Sequence, residues 1–190
     1  MLTEPIAQPQ SKTAISPIAV GGVIFDPGND VDSLLLGVAQ SLRQKGWVVA
    51  GLVQEETPRN TASCCPATFV RHLTDDTRTR ISVDRGENAT GCRLDAYALT
   101  EAAKRVDTAL EAGAQILMIN RFGQSESDGW GLRGTIELGI ELGLPIIVGV
   151  RRTYVAPWHE FHGGLATSLA FDGNAIANWA LTAVNRENSS

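Results

Sequence analysis

Two neighbouring polar residues, Asn120 and Arg121, end a run of four apolar ones, Ile116-Leu-Met-Ile119. A short apolar run closed by turn formers reads as a buried strand, most often of a parallel sheet. In open α/β sheets, ligands bind just past the carboxyl ends of the strands. The loop that follows carries Gln124 and Glu126 among Gly123, Gly129 and Gly131. An amide, a guanidinium and a carboxylate on so permissive a backbone make a candidate binding edge. The plain alternative is a solvated strand-to-helix loop. Arg93, with Cys92 before it, is a candidate for the same edge. Guanidinium forks suit tetrahedral oxyanions, and a cysteine beside them would have its thiol pKa lowered. Their bland counterparts are an Arg93–Asp95 ion pair and a small buried cysteine.

A second anion feature lies near the start. Gly28-Asn-Asp-Val-Asp-Ser33 joins an apolar strand, Ile18–Phe25, to an amphipathic helix, Val31–Lys45. The free N–H groups and positive dipole end of that helix would face the carboxyl edge of the sheet, so Gly28, Asn29, Asp30 and Ser33 are candidate ligand contacts. A phosphate-binding loop would read G-x-x-x-x-G-K-[ST]. Here Val31 and Asp32 stand where lysine would be, and Asp30 and Asp32 repel phosphate unless they cap the helix.

Other constellations are weaker. Cys64 and Cys65 are adjacent and Cys92 is distant, which is not the C-x₂₋₄-C spacing of a closed zinc site. A metal or cluster would need all three brought together. His159 and His162 are spaced to share a helix face, but no glutamate stands at a ligand position. His72 reads as a strand-face residue. No G-x-S-x-G elbow supports a Ser–His–Asp assembly. Trp130, between two glycines, is either a lid or ordinary packing.

The elements that must hold these residues alternate. After the first strand and helix, Trp47–Val53 is a second buried strand, and the three imply a parallel pair with a right-handed crossover. Asn29 or Asp30 is the expected N-cap and Gly46 the C-terminal stop. Residues 55–66 are polar and read as a mobile loop. Thr68–Leu73 and Thr79–Val83 flank a turn and form an antiparallel hairpin. A helix capped by Asp95 leads to the Ile116 strand. Thr135–Leu142 is helical, Pro145–Val150 a fourth buried strand, Pro157–Leu165 helical, Thr167–Phe171 a last strand and Asn174–Val184 a final helix. The fold class is α/β, a three-layer sandwich on a mostly parallel sheet with an inserted antiparallel hairpin. Residues 1–16 form a flexible tail and residues 17–190 a single domain.

With 190 residues, 43% hydrophobic and 19% charged, the chain is globular and able to bury a core. A net charge of −5 argues against a nucleic-acid surface. No apolar run suits a membrane span. The first sixteen residues lack the basic and apolar regions of a signal peptide, so a reducing cytoplasm is expected and structural disulfides are not. A homo-oligomer is compatible with this composition.

Four stretches together resemble the bacterial domain-of-unknown-function family DUF2478, a degenerate relative of the P-loop (THEP-type) nucleoside-triphosphatases. They are Gly46-Trp-Val-Val-Ala-Gly-Leu-Val-Gln54, Thr90-Gly-Cys-Arg-Leu-Asp95, Asn120-Arg-Phe-Gly-Gln-Ser-Glu126 with Gly129 and Gly131, and Trp158-His-Glu-Phe-His-Gly-Gly164. In the active relatives the central strand ends Asp-Glu-(apolar)-Gly, whose carboxylates serve Mg²⁺ and water; here Asn120 and Arg121 hold those places, and a guanidinium supplies no oxygen to a hard cation. The resemblance implies an old nucleotide fold turned to binding, often associated with molybdate transport. The expected function is therefore binding of a small molecule or oxyanion, molybdate or a nucleotide among the ligands, without efficient nucleotide hydrolysis. One alternative is a divergent Mg-dependent nucleotide hydrolase or transferase with Glu126 as base. Another is a metal- or cluster-handling protein using Cys64, Cys65 and Cys92.

Overall fold

Strands that are apolar on both faces need helices on both sides, and the chain supplies them. The computed structural model describes residues 19–56, 67–83 and 93–187. The N-terminal tail, most of the polar loop, and Cys64, Cys65 and Cys92 lie outside the described residues. The order is β1 (Val20–Phe25), α1 (Val31–Gln44), β2 (Val49–Glu56), β3 (Thr68–His72), β4 (Arg78–Arg80), β5 (Ser82–Val83), β6 (Arg93–Leu94) and α2 (Ala96–Glu111). Then follow β7 (Ile116–Phe122), a short helix α3 (Gln124–Ser127), α4 (Arg133–Glu141), β8 (Ile146–Arg151), a 3₁₀ turn, α5 (Val155–His162), β9 (Ala166–Leu169) and α6 (Gly173–Glu187). Pro157 fits inside α5 because it falls in the first turn, where its missing N–H would have no intrahelical partner.

The main sheet runs β4-β3-β2-β7-β8-β1-β9. β1, β2, β7, β8 and β9 are parallel; β3 and β4 add an antiparallel margin. The expected sandwich and hairpin are both present. Two expectations need correction. β1 and β2 are parallel but not paired, because β7 and β8 lie between them. Those two strands are the most continuously apolar and take the centre of the sheet, where burial removes the most surface from water. Glu55 and Glu56 are also strand rather than loop, since β3 pairs antiparallel with β2 as far as Glu56↔Thr68.

Helices α1 and α6 cover one face, burying Leu35, Val38 and Leu42 with Ile176 and Ala180 against Val23, Met118 and Ile147. Helices α2, α4 and α5 cover the other, where Val106, Ile136 and Trp158 meet Leu117, Ile119 and Val148. Asp30 caps α1 by accepting from the Ser33 amide at 2.9 Å, and Asp95 caps α2 by accepting from Ala98 at 3.0 Å. Each such cap contributes about 1 kcal/mol. Helix α1 stops in a Schellman arrangement: the Gly46 amide reaches Arg43 O and the Trp47 amide Leu42 O, with Gly46 at φ +90°.

Two histidines are buried, His72 and His162. Burial, then the charge of Arg105, pushes His72 below the ordinary imidazole range; burial, then His159, does the same for His162. The folded chain thus disfavours the charged form of both, whereas in the unfolded chain they titrate near ~6.5. The unfolded state then binds more protons below that value, so their contribution is complete above about pH 6.5 and is lost as pH falls toward their depressed folded values. The melting temperature is expected to hold steady from pH 8 to 7 and to fall between about pH 6.5 and 5. A His72→Gln, His162→Gln double variant should flatten that fall. A melting temperature that rises on acidification through this window would contradict the assignment.

Candidate functional site

The carboxyl ends of β1, β2 and β7 open onto a cavity of about 600 Å³ beside the first turn of α1. Gly28, Asn29, Asp30, Ser33 and Arg121, all candidate ligand contacts from the sequence, line it. So do Asp32, Gln54, Glu55, Glu56 and Arg78, whose part was not read from the sequence. The first turn of α1 is positioned by the Asp26-to-Asp30 turn, in which Asn29 Oδ1 accepts from the Asp26 amide at 3.0 Å.

Charge in the cavity is paired at short range. The Asp32 carboxylate accepts from Asn120 Nδ2 on one oxygen and from an Arg121 guanidinium nitrogen, 2.6 Å away, on the other. This contact joins the helix that follows the first strand to the end of the central strand. Glu55 is held between Arg71 and Arg78, the latter at 2.7 Å. The hydroxyl of Ser33, and then its amide, hold the Asp30 carboxyl below the ordinary carboxylate range. Four carboxylates face two arginines, and both arginines already have a carboxylate partner. An arriving anion must therefore displace a carboxylate or share its donors. Arg121 Nε is buried with no hydrogen-bond partner among the described residues.

A bulge brings Asn120 and Arg121 to the same acceptor. Successive side chains of a regular strand point to opposite faces. Between Ile119↔Val148 and Phe122↔Val150, however, β7 uses one residue more than β8. Asn120 and Arg121 stand opposite Gly149, and Phe122 is returned to the α5 side, edge-on to Trp158 with centroids 5.1 Å apart. Bulges of this kind redirect side chains at functional edges.

Two expected ligand contacts fall elsewhere. Gln124 donates to both oxygens of Asp128, at 2.7 and 2.8 Å, and does not line the cavity. Glu126 is buried, and its two oxygens accept from the Gly123 amide at 3.0 Å and the Leu132 amide at 2.9 Å. With both oxygens spent on backbone amides, it holds the loop together and is not placed as a base. Arg93 contributes its backbone to the β5–β6 pair, opposite Val83. Among the described residues, no group of three or more His, Cys, Asp or Glu is placed to hold a metal ion. No described helix is long and apolar enough to cross a membrane.

A mostly parallel sheet between helix layers, with a loop-to-helix turn at its carboxyl edge, is the architecture of the P-loop nucleoside-triphosphatases. Two solved structures share it. THEP1 from Aquifex aeolicus superposes with a TM-score of 0.56 and 14% identity over 80% of this chain and 90% of that one. A human cancer-related nucleoside triphosphatase gives a TM-score of 0.58 and 16% identity over 90% and 98%. The chain belongs to the family described as Protein of unknown function (DUF2478), whose model matches residues 20–179. It is also 29% identical over 173 residues to the molybdenum import ATP-binding protein ModC 2 of Bradyrhizobium diazoefficiens. That match takes in 91% of this chain but only 19% of the relative's length.

Proposed function

We propose that the chain binds a small anionic ligand, a bare oxyanion such as molybdate or a phosphate-bearing molecule, at the carboxyl edge beside α1, and that it does not turn nucleotides over efficiently. The observation that carries this reading is the Asp32 contact with Asn120 and Arg121. A P-loop places a lysine near this point to meet the β- and γ-phosphates; this chain places a carboxylate there. The negative group draws to itself the donors that a transferring phosphoryl group would need. Arg121 and Asn120 remain donors aimed at an oxyanion-like acceptor, and Asp32 occupies that acceptor position from within. Ligand binding is then an exchange in which the anion displaces the aspartate. Similarity to a molybdenum import ATP-binding protein is consistent with a tetrahedral oxyanion, and likeness in fold to nucleoside triphosphatases with a phosphate.

Calorimetric titration with molybdate, sulfate, phosphate and ATP tests the exchange. Asp32→Asn removes the competing charge and is expected to tighten binding about tenfold, equivalent to ~1.4 kcal/mol. Arg121→Ala is expected to weaken it by about 2 kcal/mol or more, roughly 30-fold. Lys45→Ala, on an exposed residue at the far end of α1, should leave affinity unchanged. Tighter binding by Arg121→Ala, or weaker binding by Asp32→Asn, would refute the exchange. Mg²⁺-dependent phosphate release should stay well under ~1 s⁻¹, the lower end of ordinary enzyme turnover; steady release at that rate would overturn the non-hydrolytic part.

A further inference from the structure

A second cavity, of about 370 Å³, lies against the other end of the sheet order, between α5 and the strands β1 and β9. Its chemistry is the reverse of the carboxyl-edge cavity, because no aspartate or glutamate lines it. Two buried aromatic side chains bring N–H groups to it. Trp158 is 2% exposed and His162 3% exposed, with ring centroids 5.0 Å apart. A Cβ on Gly22 would come within 2.9 Å of Trp158 Nε1. The missing Cβ lets the N–H edge of the indole lie against β1 at Gly22, on the cavity wall, and that N–H has no hydrogen-bond acceptor among the described residues.

The tautomer of His162 is set by its neighbours. Its Nδ1 accepts from the Gly164 amide at 3.0 Å and the Ala166 amide at 3.2 Å. A ring nitrogen that accepts is unprotonated, so in the neutral ring the hydrogen sits on Nε2. Burial and the nearby His159 favour that neutral form. Nε2–H likewise lacks an acceptor among the described residues. Neither donor is sealed from solvent, since the sealed polar atoms without a partner among the described residues are Asp107 Oδ1 and Arg121 Nε; both belong to rings that line the cavity. Arg152 adds a cation at the mouth while its fork rests on Asp26, at 2.5 and 2.8 Å. Ile24, Val155 and Ala166 supply apolar wall.

We propose that this cavity binds a small organic anion, its carboxylate or phosphate oxygens taken by Trp158 Nε1–H and His162 Nε2–H and its apolar body lying on Ile24, Val155 and Ala166. The volume is at the small end of the range for ligand pockets, roughly 300–1,000 Å³, which suits one ring with one anionic group. The site is separate from the carboxyl-edge cavity and its occupancy does not depend on the reading given for that cavity.

The test follows the indole N–H resonances of the four tryptophans by ¹H–¹⁵N correlation spectroscopy, with Trp158→Phe identifying the Trp158 signal. Benzoate and phenyl phosphate are the probes, and benzyl alcohol is the uncharged control. A saturable downfield shift of the Trp158 signal with one or both anions, and none with the alcohol, is expected. Ser168 is exposed on β9 opposite Gly22, so Ser168→Asp adds a negative charge at the rim without disturbing the core. It should weaken the probe about tenfold or more, and Arg121→Ala should leave it within about threefold. The absence of a saturable shift with either anion, or undiminished affinity in Ser168→Asp, overturns the proposal. So does loss of the probe in Arg121→Ala, because binding would then belong to the carboxyl edge.

Discussion

Gly149→Ala is expected to cost about 4 kcal/mol or more and to lower the melting temperature by about 8–16 °C. A Cβ at Gly149 would stand 2.1 Å from the carbonyl oxygen of Asn120 and 3.1 Å from a methyl of Val31. No rotamer relieves a clash between a Cβ and a backbone oxygen, so β7 or β8 must move. The strands concerned are the two central ones, and the displaced segment is the bulge that carries Asn120 and Arg121. Stability and the carboxyl-edge site should therefore fail together. Urea unfolding gives the first quantity, and titration of whatever folds gives the second. A loss below about 1 kcal/mol, the ordinary effect of a point substitution, would show that the close approach does not constrain the bulge.

Glu126→Ala is expected to destabilise the chain by about 3 kcal/mol, with Glu126→Gln costing roughly half as much. The buried carboxylate accepts one backbone amide on each oxygen, from Gly123 and from Leu132, and so closes the segment between β7 and α4 on itself. Alanine leaves both amides without an acceptor, that of Leu132 buried and that of Gly123 partly so, and opens a void as well. Glutamine keeps one acceptor and turns an NH₂ toward the other amide. The graded order, alanine worse than glutamine worse than wild type, is the signature of a carboxylate that holds a loop. A base in a hydrolytic reaction would instead give two variants of near-native stability with altered turnover. Thermal melts of the three proteins, alongside phosphate release, separate these outcomes.

The elements could be read from the sequence because their signals are local. Apolar runs such as Ile116–Ile119 and Pro145–Val150 have nowhere to go but a sheet buried on both faces. Asp30, Asp95 and Gly46 mark helix ends through bonds to residues three or four positions away. The absence of lysine from the Gly28–Ser33 turn could be seen directly, and so could the basic end of the central strand. Contacts between segments far apart in the chain were not legible. Nothing in the sequence shows that Asp32 meets Asn120 and Arg121, 88 and 89 positions away. Nothing shows that β7 and β8 insert between β1 and β2, or that Glu55 closes the cavity from a strand paired with β3. Glu126 illustrates the limit well: a polar residue in a glycine-rich loop looks like a ligand contact until its two oxygens are seen on backbone amides. By itself the sequence determined the layers and the chemistry lost from the first loop. The tertiary structure alone decided which charges pair at the carboxyl edge, because one added residue in β7 turns two successive side chains toward the same carboxylate.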